Sequence, residues 1–434
     1  MINTKVSSQV EIFGSTQSRN FINKIIQMKN MTIQQMTIPL RRFATLLAFT
    51  ALISITSART WTSADGSKTF EGELKSYDAD TGTVTVLSNG NEMVFKQDVL
   101  SEADIEYLKK EGTKISGGGS SLTVAAVPDE LPDPDGKEAD MSKPVQVFII
   151  MGQSNTLEMG KVTDDLKEKY PYLADDSGEW TTRKDVRNFH HQSGKIRRDD
   201  WLTISGNKIG IEIGIGHYLG HAIEAPVMIL KSSIGNRSLG WDLLPPSVGP
   251  YEYNGEPQPG YGEDKNNIGK GTHDGGWYAG KQWDTDIGGA QEALKNLGKH
   301  YPGAEDYEVA GFLWWQGDKD MRNPAHFNNY EKHLVALIKD LRKTFDAPNA
   351  PFVTASLGQT KESDTSSGHG IILQAMKTVA SGEYSDELGD NIGFVYTNPL
   401  SKGSSSSGHY GGNAETYMNV GEAMGKEMVE QLAK

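Results

Sequence analysis

Residues 147–160 read VFIIMGQSNTLEMG, an apolar run with an abrupt polar end. The run VFIIM has the length and the branched side chains of a strand that is buried on both faces. It stops at Gly-Gln-Ser-Asn, four small or polar residues that suit a loop better than a buried strand. The sequence therefore predicts a buried strand whose carboxyl end places Ser154 at the rim of a sheet.

Other short apolar runs alternate with amphipathic stretches after this strand. Strands are predicted at VQVFIIM, PVMILKSS, VAGFLWWQ, PFVTASL and NIGFVYTN, and helices at IGIGHYLGHAI, GAQEALKNLGKHY, HFNNYEKHLVALIKDLRKTF and AETYMNVGEAMGKEMVEQLAK. This alternation is typical of a mainly parallel sheet covered by helices. We expect residues 143–434 to form an α/β domain.

Two further segments precede this domain. Residues 59–111 alternate apolar and polar residues around an Asn-Gly turn signal and end in SEADIEYLKK, with Ser101 as the expected helix N-cap. They predict a small all-β barrel and resemble the Src-homology-type modules attached to many secreted bacterial enzymes. Residues 112–142 are rich in Gly, Ser, Pro and Asp and predict a linker.

The N-terminal residues 1–58 predict an exported protein. Arg41 and Arg42 precede the apolar run 43–55, and small residues up to Ala58 offer a cleavage site. The run is too short to span a membrane comfortably. We therefore expect a signal peptide, a periplasmic or secreted product, and no membrane span after its removal.

Composition narrows the classes of function. The 434 residues carry a net charge of −14 and no cysteine. The acidic balance disfavours binding to nucleic acid through bulk electrostatics, and the absence of cysteine excludes disulfides, thiolate metal sites and cysteine nucleophiles. The oligomeric state is left open by the sequence.

Polar residues follow several predicted strands and would meet at one rim of the sheet. They supply the parts of nucleophilic acyl transfer: a serine, a histidine base, carboxylates that could orient the histidine, and donors for an oxyanion. The serine is Ser154 and the base is His409. The carboxylates are Asp318 and Asp320, and the donors are the backbone N–H groups of Ser154 and Gly235 with the side-chain amides of Gln316 or Asn236.

Four blocks carry a family resemblance: MGQSN, KSSIGNRSLGW, GFLWWQGDKD and GHYGGNAETYMNVGEAMG. In this order they resemble the SGNH-type hydrolases of the sialate O-acetylesterase and acetylxylan esterase branch of carbohydrate esterases. The resemblance covers residues 143–434. It implies a three-layer α/β/α sandwich with a flavodoxin-like sheet and Ser154 as the nucleophile. It also implies Gly235 and Gln316 in the oxyanion hole, an acetylated carbohydrate substrate and no cofactor or metal.

The triad acid departs from the family pattern. The usual Asp-x-x-His arrangement would place an acid at position 406, where this chain has a serine. Asp318 stands where the branch has a glutamate that can act as the acid, and Asp320 is the second candidate. A serine–histidine dyad remains an alternative. The missing acid also leaves open a catalytically inactive glycan-binding homologue, and the sequence equally admits an esterase that acts on a non-carbohydrate ester.

Several residues near the four blocks are expected to contact substrate. A long insert after Pro245 is rich in aromatic residues, whose flat side chains can stack on sugar rings, and Arg237 could contact an acidic sugar. The expected contact residues are Gln153, Asn155, Arg237, Trp241, Trp277 and Trp315. Less specific patterns are read as structural: His217 and His221 lack the glutamate of a His-Glu-x-x-His zinc site, and Asp318 with Asp320 falls short of a calcium site.

Overall fold

The structure is a computed structural model that describes residues 59–78, 82–88, 91–109, 124–126, 128, 131 and 137–434. The predicted signal peptide and residues 79–81 and 89–90, at the centres of two predicted turns, lie outside these residues. Among the described residues no helix has the length and apolar character needed to cross a membrane.

The small domain contains an antiparallel sheet in the order β1-β2-β3-β4. Its strands are β1 (Arg59–Thr62), β2 (Thr69–Asp78), β3 (Thr83–Ser88) and β4 (Asn91–Lys96), followed by helix α1 (Glu102–Tyr107). The hydroxyl of Ser101 accepts a hydrogen bond from the Asp104 N–H, which confirms the predicted N-cap. Trp61, Val84 and Val86 form the core of this domain. Closure of the sheet into a barrel stays a prediction.

The main domain is built on a seven-stranded sheet, which confirms the predicted α/β class. Its order is β15-β14-β13-β5-β10-β7-β8, and every neighbouring pair is parallel except β7 with β8. The strands are β5 (Val145–Gly152), β7 (Arg183–Gln192), β8 (Lys195–Leu202), β10 (Val227–Ser232), β13 (Tyr307–Trp315), β14 (Phe352–Ala355) and β15 (Ile392–Val395). Two short ladders accompany it, β6 (Gly160–Lys161) with β9 (Lys208–Ile209) and β11 (Tyr251–Tyr253) with β12 (Glu256–Gln258).

Helices cover both faces of this sheet. The helices after the small domain are α2 (Leu166–Lys169), α3 (Glu212–Ala222), α4 (Lys281–Lys295), α5 (Leu297–His300), α6 (Pro324–Phe327), α7 (Tyr330–Thr344), α8 (Gly368–Ala380), α9 (Ser385–Leu388) and α10 (Ala414–Leu432). Alternate residues of β5 enter opposite cores: Val147 and Ile149 pack with α4, α7 and α8, whereas Phe148 and Ile150 pack with α3 and α10. Both faces of β5 are therefore buried, which explains why the run VFIIM is apolar throughout.

The β7–β8 hairpin is the largest element that the sequence did not predict. Strand β7 reads RKDVRNFHHQ and is buried along almost its whole length. Its charged residues do not give the apolar pattern from which a buried strand is predicted. The charges are paired inside the protein: Arg183 bonds Asp185, and Arg187 bonds Asp199. Helix α8 was also not predicted.

The predicted linker is partly attached to the main domain. The Ala125 N–H donates to the Ala222 carbonyl, and Lys137 donates to the Gly220 carbonyl. These described residues are therefore hydrogen-bonded to the C-terminal end of α3.

Candidate active site

Ser154 lies directly beyond β5, at the start of a 3₁₀ turn formed by Ser154–Thr156. Gly152 ends the strand with φ +149°, and a Cβ there would meet the Trp315 carbonyl oxygen at 2.6 Å. The serine residue is only 7% exposed. Its hydroxyl bonds no described residue and is not fully buried, so solvent reaches it. The glycine thus lets the chain turn and leaves a reactive group free at the rim.

Gly235 lies against this serine. A Cβ on Gly235 would be 3.4 Å from the Ser154 Cβ, and the next residue, Asn236, has φ +58°. The backbone N–H groups of Ser154 and Gly235 donate to no other described residue. Unpaired N–H groups beside a serine hydroxyl are what an oxyanion hole requires.

The position of these loops follows from the sheet topology. Strand β5 lies between β13 and β10, and the chain visits the β10 side before it crosses to β13. Such a change of direction opens a crevice at the carboxyl ends of the strands, where ligands bind in open α/β sheets. Ser154 follows β5 and Gln316 follows β13, so the first and third sequence blocks meet at this crevice.

Gln316 is fully buried and ties three loops together. Its Nε2 donates to the Arg237 carbonyl at 2.8 Å, the Asp320 carboxylate at 2.5 Å and the Gln153 Oε1 at 3.2 Å, while its Oε1 accepts from the Tyr330 hydroxyl. Since two N–H hydrogens already face three acceptors, this amide is occupied. The geometry favours Gln316 as a positioning residue rather than as a direct oxyanion donor.

Asp320 holds the second block in place. Its two oxygens accept from the backbone N–H groups of Leu239 and Gly240 at 2.9 and 2.8 Å. Burial raises the pKa of Asp320 to about 6, although these hydrogen bonds and that from Gln316 oppose the shift. His326 lies 3.6 Å away, but burial lowers its pKa to about 4, so it is neutral at pH 7.

Asp318 is linked instead to the histidine loop. Its Oδ1 accepts from the hydroxyls of Ser406 and Ser407, both at 2.6 Å, and Arg322 lies 3.4 Å from its Oδ2. Ser406 occupies the position where an Asp-x-x-His acid was expected. The chain thus brings a carboxylate to this position from another loop.

His409 lies half-buried in the 3₁₀ segment Ser406–Gly412, which contacts the turn that carries Ser154. Its backbone is left-handed, with φ 50° and ψ 41°. The following Tyr410 stacks on Trp315 at 5.7 Å between ring centroids. Among the described residues, the imidazole bonds neither Ser154 nor Asp318 nor Asp320. Catalytic hydrogen bonds often tighten only when substrate is bound.

The expected substrate contacts differ in their accessibility. Trp277 is 42% exposed, and the Arg237 guanidinium lies 4.8 Å from its ring centroid. Trp241 is half-buried. Three of the expected contacts, Gln153, Asn155 and Trp315, are 0–2% exposed and offer almost no surface to a substrate.

Sequence reasoning missed the residues that hold Arg237. Its Nε donates to Gln282 at 3.1 Å, and Gln282 donates to Asp286 at 2.6 Å. Asp286 is completely buried, and burial raises its pKa well above the ordinary value, although Gln282 and Arg237 oppose the shift. Both polar residues lie on one turn of α4, and no strand end marks them in the sequence.

Part of the chain matches a known family model. Residues 272–430 match the family model described as carbohydrate esterase, sialic acid-specific acetylesterase. This segment contains Gln316, Asp318 and His409 but not Ser154. No curated protein matches.

Three solved structures that match this chain share little sequence with it. A protein from Arabidopsis thaliana is 14% identical, with 66% of this chain and 99% of that chain covered and a TM-score of 0.41. XAC1771, a carbohydrate acetylesterase from Xanthomonas citri, is 12% identical, with 79% and 59% covered and a TM-score of 0.41. NanS is 13% identical, with 60% and 79% covered and a TM-score of 0.36.

Proposed function

We propose that the chain is a carbohydrate esterase that removes O-acetyl groups from sugars through an acetyl-serine intermediate. The match of residues 272–430 to the family model described as carbohydrate esterase, sialic acid-specific acetylesterase supports this proposal. The observation that carries the proposal is the Ser154 hydroxyl beside two N–H groups, none of which bonds a described residue. These groups lie at the crevice that also receives the histidine loop.

The proposed reaction assigns a role to each group. The Ser154 oxygen attacks the acetyl carbon while His409 takes the hydroxyl proton, and the N–H groups of Ser154 and Gly235 bind the oxyanion. Collapse of the tetrahedral intermediate breaks the bond to the sugar oxygen, which leaves with the proton from His409. Water, deprotonated by His409, then attacks the acetyl-serine and releases acetate.

Asp318 is the proposed triad acid. Its hydrogen bonds to Ser406 and Ser407 support this assignment because they hold the carboxylate against the loop of His409. Asp320 fits the role less well, since its oxygens are engaged by Gln316 and the second block. In this proposal the carboxylate selects the imidazole tautomer and stabilises its protonated form.

The substrate is proposed to lie along Trp277 and Arg237. An exposed tryptophan offers a flat apolar face to a sugar ring, and the adjacent guanidinium can bind hydroxyl or carboxylate oxygens. The side-chain oxygen of Gln282 accepts a hydrogen bond from the Arg237 Nε and so holds the guanidinium in place. This arrangement supports a carbohydrate substrate over a purely apolar ester.

The test measures acetate release from a panel of acetylated neutral and acidic saccharides. Wild type should release acetate, Ser154→Ala should not, and Ser366→Ala, which removes an exposed hydroxyl elsewhere, should behave as wild type. A wild type that binds the saccharides without releasing acetate would instead identify a glycan-binding homologue. Activity on simple esters alone would point to a non-carbohydrate substrate.

Export is a separate proposal that the residues around Arg41 and Ala58 support. Expression in a bacterial host should give a shortened protein in the periplasm or medium. N-terminal sequencing should place its first residue near position 59. Retention of the uncut chain in the cytoplasm would contradict export.

A further inference from the structure

Two buried hydroxyl groups take no part in the proposed reaction, yet they connect the two loops that the reaction uses. Thr156 ends the 3₁₀ turn that Ser154 begins. Ser233 directly follows strand β10 and precedes Gly235 by two residues. Thr156 and Ser233 are both 0% exposed, so an effect of either residue on catalysis has to be indirect.

The two hydroxyls form a hydrogen-bonded chain with a defined direction. The Thr156 Oγ1 donates to the Gln153 carbonyl at 2.7 Å, and the same atom lies 2.7 Å from the Ser233 Oγ. Because the single hydroxyl proton of Thr156 is used on the carbonyl, the Ser233 hydroxyl is the donor between the two side chains. The chain therefore runs from the end of β10, through Thr156, to the residue that precedes Ser154.

An ion pair makes a second connection between the same two segments. The ammonium group of Lys231, on β10, bonds Glu158 at 2.8 Å and Glu212 at 2.7 Å. Burial of this lysine opposes its charge, but the two carboxylates raise its pKa above the ordinary value. The segment 153–158 is thus held to the end of β10 at two points, Thr156 and Glu158.

These connections bear on the distance between the nucleophile and the second oxyanion donor. A Cβ on Gly235 would be 3.4 Å from the Ser154 Cβ, yet among the described residues no hydrogen bond joins Ser154 to Gly235. Their separation therefore depends on the contacts of neighbouring residues. Displacement of a reacting group by about 1 Å can lower a rate by about 10²-fold.

We propose that Thr156 and Ser233 are positioning residues, which hold the Ser154 hydroxyl at the distance from the Gly235 N–H that the oxyanion requires. This inference rests on the proposed function for the roles of Ser154 and Gly235. The hydroxyl of Thr156 carries the effect, although its methyl group is also close to the turn. A Cβ on Gly152 would be 3.0 Å from that methyl, so the test has to separate the two groups.

Two substitutions of Thr156 make this separation. Thr156→Val keeps the shape but loses the hydroxyl, so kcat for acetate release should fall roughly tenfold or more at nearly constant KM. Thr156→Ser keeps the hydroxyl and should retain most of the wild-type kcat. Thr354→Val is the matched control, because Thr354 is a fully buried threonine on β14 whose hydroxyl bonds no described residue. Its kcat should equal that of wild type.

Ser233→Ala tests the other end of the chain, and urea denaturation establishes which variants are folded under the assay conditions. Loss of the Ser233 donor should also lower kcat, and the double variant should lose no more than Thr156→Val alone, because the two hydroxyls act as a unit. If Thr156→Val does not fold, Ser233→Ala decides. The proposal is overturned if each folded variant without a hydroxyl has the kcat of Thr354→Val, or if Thr156→Ser loses as much as Thr156→Val.

The rate of labelling by an alkyl fluorophosphonate separates this result from the identity of the ester. The Ser154 oxygen attacks phosphorus, fluoride leaves and His409 takes the hydroxyl proton, so the rate depends on the same alignment without a sugar. A wild type that is labelled but releases no acetate from any saccharide contradicts the proposed function alone. Equal labelling rates of wild type and folded Thr156→Val overturn the positioning role, and a wild type that is not labelled overturns both.

Discussion

Asp318 and Asp320 are two positions apart in the chain but have different surroundings. Asp320 is fully buried among backbone N–H groups, whereas Asp318 reaches the serines of the histidine loop. The chain turns between them, because Asp320 begins the 3₁₀ turn Asp320–Arg322 whereas Asp318 precedes it. The sequence named both residues as possible acids but could not separate them, because the separation depends on partners from distant segments.

The Asp318→Asn variant tests the acid. An amide cannot stabilise the imidazolium, so we expect kcat to fall by about 10²- to 10⁴-fold with a smaller change in KM. Steady-state hydrolysis of an acetylated substrate gives both constants. Asp390→Asn, an exposed change far from the rim, is the control, and a kcat equal to that of the control would remove Asp318 from the triad.

Tyr330 provides a test of the positioning role of Gln316. Tyr330→Phe removes the hydroxyl that donates to the Gln316 Oε1 and accepts from the Trp314 indole. Two buried partners lose a hydrogen bond, so we expect a loss of about 1–3 kcal/mol in the free energy of unfolding. Urea denaturation measures it, and a kcat that falls while KM stays constant would indicate that Gln316 aligns the catalytic loops. An unchanged stability and an unchanged kcat would contradict this role.

Strand β5 shows which strands could be predicted from the sequence. Its apolar run was predicted because both of its faces are buried, and the same reasoning predicted β10, β13, β14 and β15. It failed for β7 and β8, because paired charged residues occupy positions where apolar side chains would have indicated a buried strand. The location of Ser154, Gly235 and His409 in loops beyond the strands was predictable, because these residues follow strand ends in the sequence. The polar groups behind them, such as Gln282 and Asp286, were not, because only the fold brings them together.

The end of β5 is predicted to be intolerant of any side chain. In Gly152→Ala the new Cβ would meet a backbone carbonyl, and φ +149° is unfavourable for alanine. We expect a loss of about 2–4 kcal/mol in the free energy of unfolding together with a fall in activity. Chemical denaturation compares it with Gly276→Ala, where the added methyl meets open space. Equal stability of the two variants would show that the turn before Ser154 is not strained.

At the scale of the whole molecule, the buried carboxyl of Asp320 links stability to pH. Its pKa is raised from 3.8 to about 6 in the folded protein. The native state therefore holds more protons than the unfolded chain between these values, and the free energy of unfolding should fall as the pH rises from about 4 to 6. The full effect is on the order of 2–3 kcal/mol.

Urea titrations at several pH values measure this dependence. Asp320→Asn has no titrating group at this position, so its stability should lack the component that wild type loses between pH 4 and 6. Only the slopes are compared, because the variant also changes the hydrogen bonds to the second block. Parallel curves for the two proteins would contradict the raised pKa.

The central claim is that Ser154 carries the acetyl group during turnover. Rapid acid quenching of wild type with an acetylated saccharide, followed by proteolysis and mass spectrometry, tests it directly. We predict one added acetyl group on the peptide that contains Ser154, and no such adduct in Ser154→Ala. Steady acetate release by Ser154→Ala, or an acetyl group on a different residue of wild type, would contradict the account.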